Sequence, residues 1–339
     1  MTPPLVALDA DVLGRERTGD ETYVENLLRR LPEVAGDDLR FAAVTRNPDL
    51  VPSGVEAVRL PARFQELRMA WSLPRLLRRL RPALAHFQHV IAPGCPSPAV
   101  LTVHDLSFES DRRFMGGVDR LVFRATVPRS ARRAAHILAV SERTKRDLVA
   151  LYALDPERIT VTPHGVDPAF TPDGRVPEDY VLFVGAIQER KDPLAASKAA
   201  AELGLPLVVA GPEKEPALAR KLEQRGAQLR GYVSKPELAE LYRGAACLVL
   251  PSRYEGFGLP VLEAMACGTP VVAGPDPALR EVGGDAVLYA GPSELAAAIR
   301  RAIAERARLA QAGLERARTF SWRQTAERTV AVYRAALAQ

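Results

Sequence analysis

A chain of 339 residues with 47% apolar content is long enough to bury two cores rather than one. Its 46 basic and 41 acidic residues leave a net charge of only +5, which excludes the concentrated basic footprint of a nucleic-acid-binding protein. An odd set of three cysteines (Cys95, Cys247, Cys267), a start that passes straight into a strand and the lack of any stretch of transmembrane length argue against a secreted disulfide scaffold and a membrane span, and lead us to expect a cytoplasmic protein.

Apolar runs at residues 5–8, 41–45, 83–87, 100–103, 136–140 and 159–162 read as strands, with helical stretches at 23–31, 67–80, 120–134 and 142–152 between them. Strands separated by helices are what right-handed crossovers require, so a first parallel α/β domain is expected over residues 1–170. Residues 171–179, rich in turn formers, read as the linker. A second series of strands at 180–184, 206–210, 228–230, 247–250 and 271–273 builds a second α/β domain over 177–320, with a helix at 293–315 and a last one over 322–339.

The stretch from Pro251 to Pro275 carries the densest chemistry. Pro251 and Ser252 end the strand at 247–250, and Gly256 and Gly258 free the backbone of the Gly256, Phe257, Gly258, Leu259 turn for close approach to a ligand. Pro260 suits a helix start, and Gly268 with Pro270 reads as the stop. The N-terminus of such a helix has unpaired amides and a positive dipole end, so a phosphate or diphosphate is its natural guest. Glu263, one turn in, points its side chain back toward that end, and Glu255 lies in the loop, so both are expected to face one pocket. A carboxylate there repels phosphate but accepts hydrogen bonds from the vicinal hydroxyls of a sugar or ribose. The plain alternative, an exposed helix glutamate beside a tight turn, does not account for the coincidence of glycines, helix start and two acids.

Other short motifs are weaker. Gly14 to Gly19 has the glycine spacing of a phosphate-binding P-loop, but Asp20 and Glu21 stand where Lys and Ser or Thr belong. Gly19 is expected to precede the helix at 23–31, either as a turn glycine or as a close-approach point for a phosphate or sugar. Asp9 and Asp11 mimic a metal-binding acidic pair, yet end the first strand, so a structural use is preferred. The five histidines and three cysteines have no zinc spacing, and no Gly-x-Ser-x-Gly elbow is present.

The Glu255, seven residues, Glu263 pattern resembles the signature of retaining glycosyltransferases of family 4, which have the GT-B fold: two Rossmann-like α/β/α domains facing a cleft, with the C-terminal helix crossing back to the first domain. The resemblance extends to Val184 through Asp192, Val103 through Phe108, Ala139 through Ser141, Pro163 through Asp167 and Phe320 through Trp322, in the family's order and over nearly the whole chain. It implies that Gly185 ends a strand near the donor and that Arg190 and Lys191 neutralise a nucleoside diphosphate whose other side meets the amides of Gly256, Phe257, Gly258 and Leu259. Glu263 would grip the ribose, while Glu255 and His104 hold the transferred sugar. Many members have arginine directly after that glycine, where this chain has Ala186, so Arg190 would take over the cationic duty. His104 at a strand end has a packed or capping role as its plain reading, and Arg190 with Lys191 a solvated pair; the family match favours the site roles. His164 reads as structural.

The same resemblance implies a metal-independent hexosyltransferase acting with retention, with no cofactor beyond the nucleotide-sugar donor, GDP-mannose first, and a glycan, lipid-linked or small-molecule acceptor. Two cations and a helix N-terminus make a divalent ion unnecessary. A nucleotide-sugar epimerase of the same architecture and a glycoside hydrolase are the alternatives; the latter needs its acids flanking a scissile bond. Arg68, Arg75, Arg78, Arg79 and Arg81 interleave with Leu67, Trp71, Leu76, Leu77 and Leu80. That segment reads as an ordinary helix with its apolar side inward, or as a peripheral contact with anionic lipid at the inner face of a membrane. The oligomeric state has no signal.

Overall fold

The computed structural model describes residues 2–15, 18–61 and 68–338. The chain forms two compact units, one of residues Met1–Glu109, Gly117–Gly165 and Trp322–Gln339, the other of Ser110–Gly116 and Val166–Ser321.

In the first unit, β1 (Leu5–Asp9), β2 (Arg40–Thr45), β3 (Glu56–Arg59), β4 (Leu84–Gln88), β5 (Ala99–Val103), β6 (His136–Ala139) and β7 (Ile159–Val161) make an all-parallel sheet in the order β3-β2-β1-β4-β5-β6-β7. The central strands are unbroken apolar runs because helices cover both faces; all five residues of β5 are buried. The order reverses between β1 and β4, where the loops diverge. β3 is a strand the sequence reading lacked: at the sheet edge, with three of its four residues exposed, it has no hydrophobic pattern to betray it.

The helix Trp322–Leu337 belongs to this unit. Its Thr325 hydroxyl donates to the Pro163 carbonyl (2.5 Å), its Tyr333 hydroxyl meets His86 Nδ1 (2.5 Å), and Trp322 stacks on His164 with ring centroids 5.3 Å apart. The expected return of the last helix to the first domain is therefore made by buried, hydrogen-bonded side chains. Of the 63–81 segment, residues 62–67 lie outside the described residues. The rest is a helical turn at Arg68–Ser72 followed by the helix Leu73–Leu80, which buries Leu73 and Leu77 and exposes Arg75, Arg78 and Arg79.

In the second unit, β8 (Val181–Val184), β9 (Leu207–Ala210), β10 (Gln228–Gly231), β11 (Cys247–Leu250), β12 (Val271–Ala273) and β13 (Leu288–Tyr289) form a parallel sheet in the order β10-β9-β8-β11-β12-β13. The two-residue β13 was too short to leave a signal. The helix expected at 293–315 is two, Leu295–Ala304 and Arg306–Ala317, broken at Glu305. Here the order reverses between β8 and β11. Open parallel sheets bind ligands outside the carboxyl ends of their strands at such a switch point, which makes the loops after β8 and β11 the candidate site of this unit.

Candidate active site

β8 exits into Gly185, whose φ of 143° lies in the region open to glycine. A Cβ there would sit 2.9 Å from Lys191 Cδ, so the glycine makes room for the lysine stem. The chain then turns through Glu189–Lys191, and Arg190 and Lys191 are both buried. β11 exits into Pro251–Gly258, and the helix Leu259–Ala266 follows with Gly258 at φ 112° as its N-cap and Pro260 in its first turn. A Cβ on Gly258 would meet Leu279 Cδ2 at 2.7 Å.

These two loops are joined through charge. Lys191 Nζ donates to Glu255 Oε1 at 2.7 Å, and Arg190 Nη1 to Glu255 Oε2 at 3.2 Å and to the Tyr254 carbonyl. The main chain closes the arrangement, Arg253 N–H donating to the Arg190 carbonyl at 2.9 Å. Burial works to raise the Glu255 carboxyl, but the Lys191 ammonium and the Arg190 guanidinium overcome it and hold the group below the ordinary glutamate range. One buried carboxylate shared by two buried cations leaves a net positive cluster at the switch point.

Glu263 has a different partner. It is 8% exposed and accepts the Tyr242 hydroxyl at 2.8 Å. Burial pushes its carboxyl up to about 7; the Tyr242 hydrogen bond opposes this, Asp167 adds to it, and Lys235, itself paired to Asp167 at 2.6 Å, opposes it weakly. A carboxylate poised near neutrality responds to any ligand that donates hydrogen bonds to it. The structure thus brings Arg190, Lys191, Glu255 and Gly185 into one cluster and sets Glu263 with Tyr242. Phe257, expected only for its amide, is buried with its ring edge-on to Phe320 at 5.9 Å.

His104 belongs to the first unit, one residue beyond β5. It is buried, and its Nε2 donates to Gln88 Oε1 at 2.8 Å at the end of β4, leaving Nδ1 3.9 Å from an Asp20 carboxylate oxygen. Burial lowers its pKa to about 4, with Asp20 opposing, so the ring is neutral at pH 7 and Nδ1 offers a lone pair. Asp20, His89 and His104 each hold one metal-ligand type of atom within 4.8 Å of the others, the one such group of three among the described residues. His89 takes a left-handed φ of 57°, and its ring lies 5.3 Å from that of His104.

Gly19 is not in a loop, as expected, but in the first turn of the helix Thr18–Ala35; a Cβ on it would meet nothing within 4 Å. Asp9 and Asp11 serve structure: Arg68 bonds Asp9 at 2.7 Å, and Arg46, Arg15 and Arg68 surround Asp11. Sequence reasoning missed Gln88, Asp20 and Tyr242. Gln88 and Asp20 had a readable signal, since they stand at the end of β4 and the start of the first helix, beside the switch point; Tyr242 had none.

Two parallel α/β units with a C-terminal helix docked on the first, and a cationic cluster at the switch point of the second, define a GT-B glycosyltransferase. Residues 17–170 match the family described as Glycosyltransferase Family 4, and residues 172–320 match Glycosyl transferases group 1. A D-inositol 3-phosphate glycosyltransferase of Catenulispora acidiphila is 32% identical, covering 96% of this chain and 92% of the relative. The O-antigen chain mannosyltransferase B of Escherichia coli is 29% identical over 87% of this chain and 83% of its own length. Among solved structures, the sucrose-phosphate synthase of Thermosynechococcus elongatus shares the fold at TM-score 0.80 and 20% identity, over 99% of both chains. The chain belongs to the family 4, group 1 glycosyltransferases. Among its described residues no helix is long and apolar enough to cross a membrane.

Proposed function

We propose that this glycosyltransferase moves a hexose from a nucleoside diphosphate sugar to a hydroxyl acceptor with retention of anomeric configuration, without a metal ion or other cofactor. The observation that carries the reading is the buried Lys191, Arg190, Glu255 cluster at the switch point of the second unit. The two cations neutralise the donor diphosphate and the charge that develops on it as the glycosidic bond breaks. The turn of Gly256, Phe257, Gly258 and Leu259 leads into a helix whose positive end faces the same phosphates. Glu263 accepts the ribose hydroxyls, Glu255 orients the sugar, and neutral His104 accepts a sugar hydroxyl at Nδ1. The acceptor attacks from the diphosphate's own face, and the leaving diphosphate takes its proton.

GDP-mannose is the first donor, supported by the mannosyltransferase named among the relatives, and a lipid-linked saccharide or other glycan the first acceptor. A phosphorylated small metabolite is the second acceptor class, in line with the inositol phosphate relatives. Three buried cysteines without a disulfide accord with work in the cytoplasm. The test is proton NMR of the product from a panel of donors, with and without EDTA. Retained anomeric configuration and undiminished turnover in chelator support the reading. Inversion contradicts it, loss in EDTA directs attention to Asp20, His89 and His104, and conversion of the donor without acceptor marks an epimerase.

A further inference from the structure

The helix Gly117–Arg133 of the first unit reads as a crossover, and its inner side is one: Val127, Ser130 and Ala131 are buried, Phe123 lies 5.4 Å from Phe108, and the Ile91 N–H donates to Ser130 Oγ. Its outer side does not match a solvated face. Val118 is 78% exposed, Leu121 72% and Val122 51%. Nine large hydrophobic side chains are exposed among the described residues, and three of them fall within these five positions. Single exposed apolar residues need no explanation, but a contiguous group does.

Helical spacing continues the stripe from Val118 and Val122 through Ala125 to Arg129 and Arg132. The helix carries Arg120, Arg124, Arg129, Arg132 and Arg133 against a single acid, Asp119. Arg124, Arg129, Arg132 and Arg133 are exposed. An apolar toe leading into a line of arginines complements an anionic bilayer: the aliphatic side chains enter the headgroup boundary while the guanidiniums reach lipid phosphates. The basic segment around Leu73–Leu80, by contrast, turns Leu73 and Leu77 into the protein, and among its described residues Trp71, 65% exposed, is a single large apolar side chain at the surface and not a group.

We infer that the outer face of Gly117–Arg133 is a docking surface for an anionic lipid bilayer, holding the enzyme at a membrane. The inference does not rest on the donor or on the stereochemistry proposed above. It is tested by co-sedimentation of the full chain at physiological salt with vesicles of phosphatidylcholine alone and with a phosphatidylglycerol-containing mixture, no substrate present. Binding to the anionic vesicles only is expected. The triple change Val118→Ser, Leu121→Ser and Val122→Ser should abolish it, and Arg129→Ala with Arg132→Ala should weaken it by about fivefold per arginine. Arg75→Ala with Arg79→Ala should have little effect. An unchanged melting temperature of the triple variant shows that the fold is kept. Absence of wild-type binding, or undiminished binding by the triple variant, overturns the inference. So does a wild-type dimer that the triple change makes monomeric, which would identify the patch as a surface between copies of this chain.

Discussion

Lys191 Nζ and Glu255 Oε1, 2.7 Å apart, tie the loop after β8 to the loop after β11, and both groups are buried. Removing one partner of a buried ion pair strands the other, which costs more than the pair is worth. Glu255→Gln, which leaves both Lys191 and Arg190 without their carboxylate, should therefore destabilise the chain by about 3 kcal/mol. Lys191→Met, which leaves Glu255 with Arg190, should cost less, and the double change Lys191→Met with Glu255→Gln should cost less than the sum of the two. Urea unfolding of the two single variants and the double variant measures the coupling. Losses that simply add would show that the pair does not act as a unit.

The two acids of the site respond oppositely to pH. Glu255 is held below its ordinary range, so its stabilisation is present above the unfolded value and lost as pH falls through the folded one. Glu263 is raised to about 7, so the folded chain favours its protonated form; that preference is fully present below the ordinary glutamate value and lost as pH rises through about 7. Ribose hydroxyls need the ionised form as acceptor. Donor affinity should therefore increase from pH 6 to pH 8, and Glu263→Gln should flatten the profile. Calorimetric titration across that range decides, and a wild-type profile without slope would remove Glu263 from the ribose.

The strands of both central sheets were legible because strands buried on both faces are apolar runs, as at Val181–Val184 and Cys247–Leu250. Of the four edge strands, Ile159–Val161 and Gln228–Gly231 were legible, whereas Glu56–Arg59, mostly exposed, and Leu288–Tyr289, two residues long, bury too little to need a pattern. Local signals placed Glu255, Glu263, Gly185, Arg190 and Lys191 beside strand exits. Pairings across the fold, Tyr242 with Glu263 and Gln88 with His104, join residues whose spacing carries no code. Periodicity also says that a helix has an apolar face without saying which way the face points. That is why the segment around Leu73–Leu80 read equally as a packed helix and as a lipid contact until the burial of Leu73 and Leu77 was known.

Gln88 fixes the tautomer of His104: its Oε1 accepts from Nε2, so the Nδ1 lone pair is left for a ligand. Gln88→Leu should lower kcat/KM by about fivefold, the worth of one hydrogen bond, while leaving the affinity for the nucleoside diphosphate unchanged. Steady-state kinetics and diphosphate binding measured on the same preparation separate the two. A matching loss in diphosphate affinity would indicate general structural damage.

The glycines make contrasting predictions. Gly19 sits in a helical turn with open space around it, so Gly19→Ala should be neutral or stabilising by up to about 1 kcal/mol. If the same space admits substrate, Gly19→Leu should lose turnover without losing stability. Gly185→Ala meets both a φ of 143° and the Lys191 stem, and should cost about 2 kcal/mol together with donor binding. Melting temperatures and turnover of the three variants check the set.

The central claim is that the second unit holds a nucleotide sugar's diphosphate on Lys191 and its ribose on Glu263. Calorimetric screening of nucleotide sugars against the wild-type chain, repeated with Lys191→Ala and Glu263→Ala, tests it directly. Both substitutions should weaken the best donor by about tenfold or more in variants that remain folded, as loss of a charge-assisted hydrogen bond requires. Undiminished binding by both folded variants would contradict it.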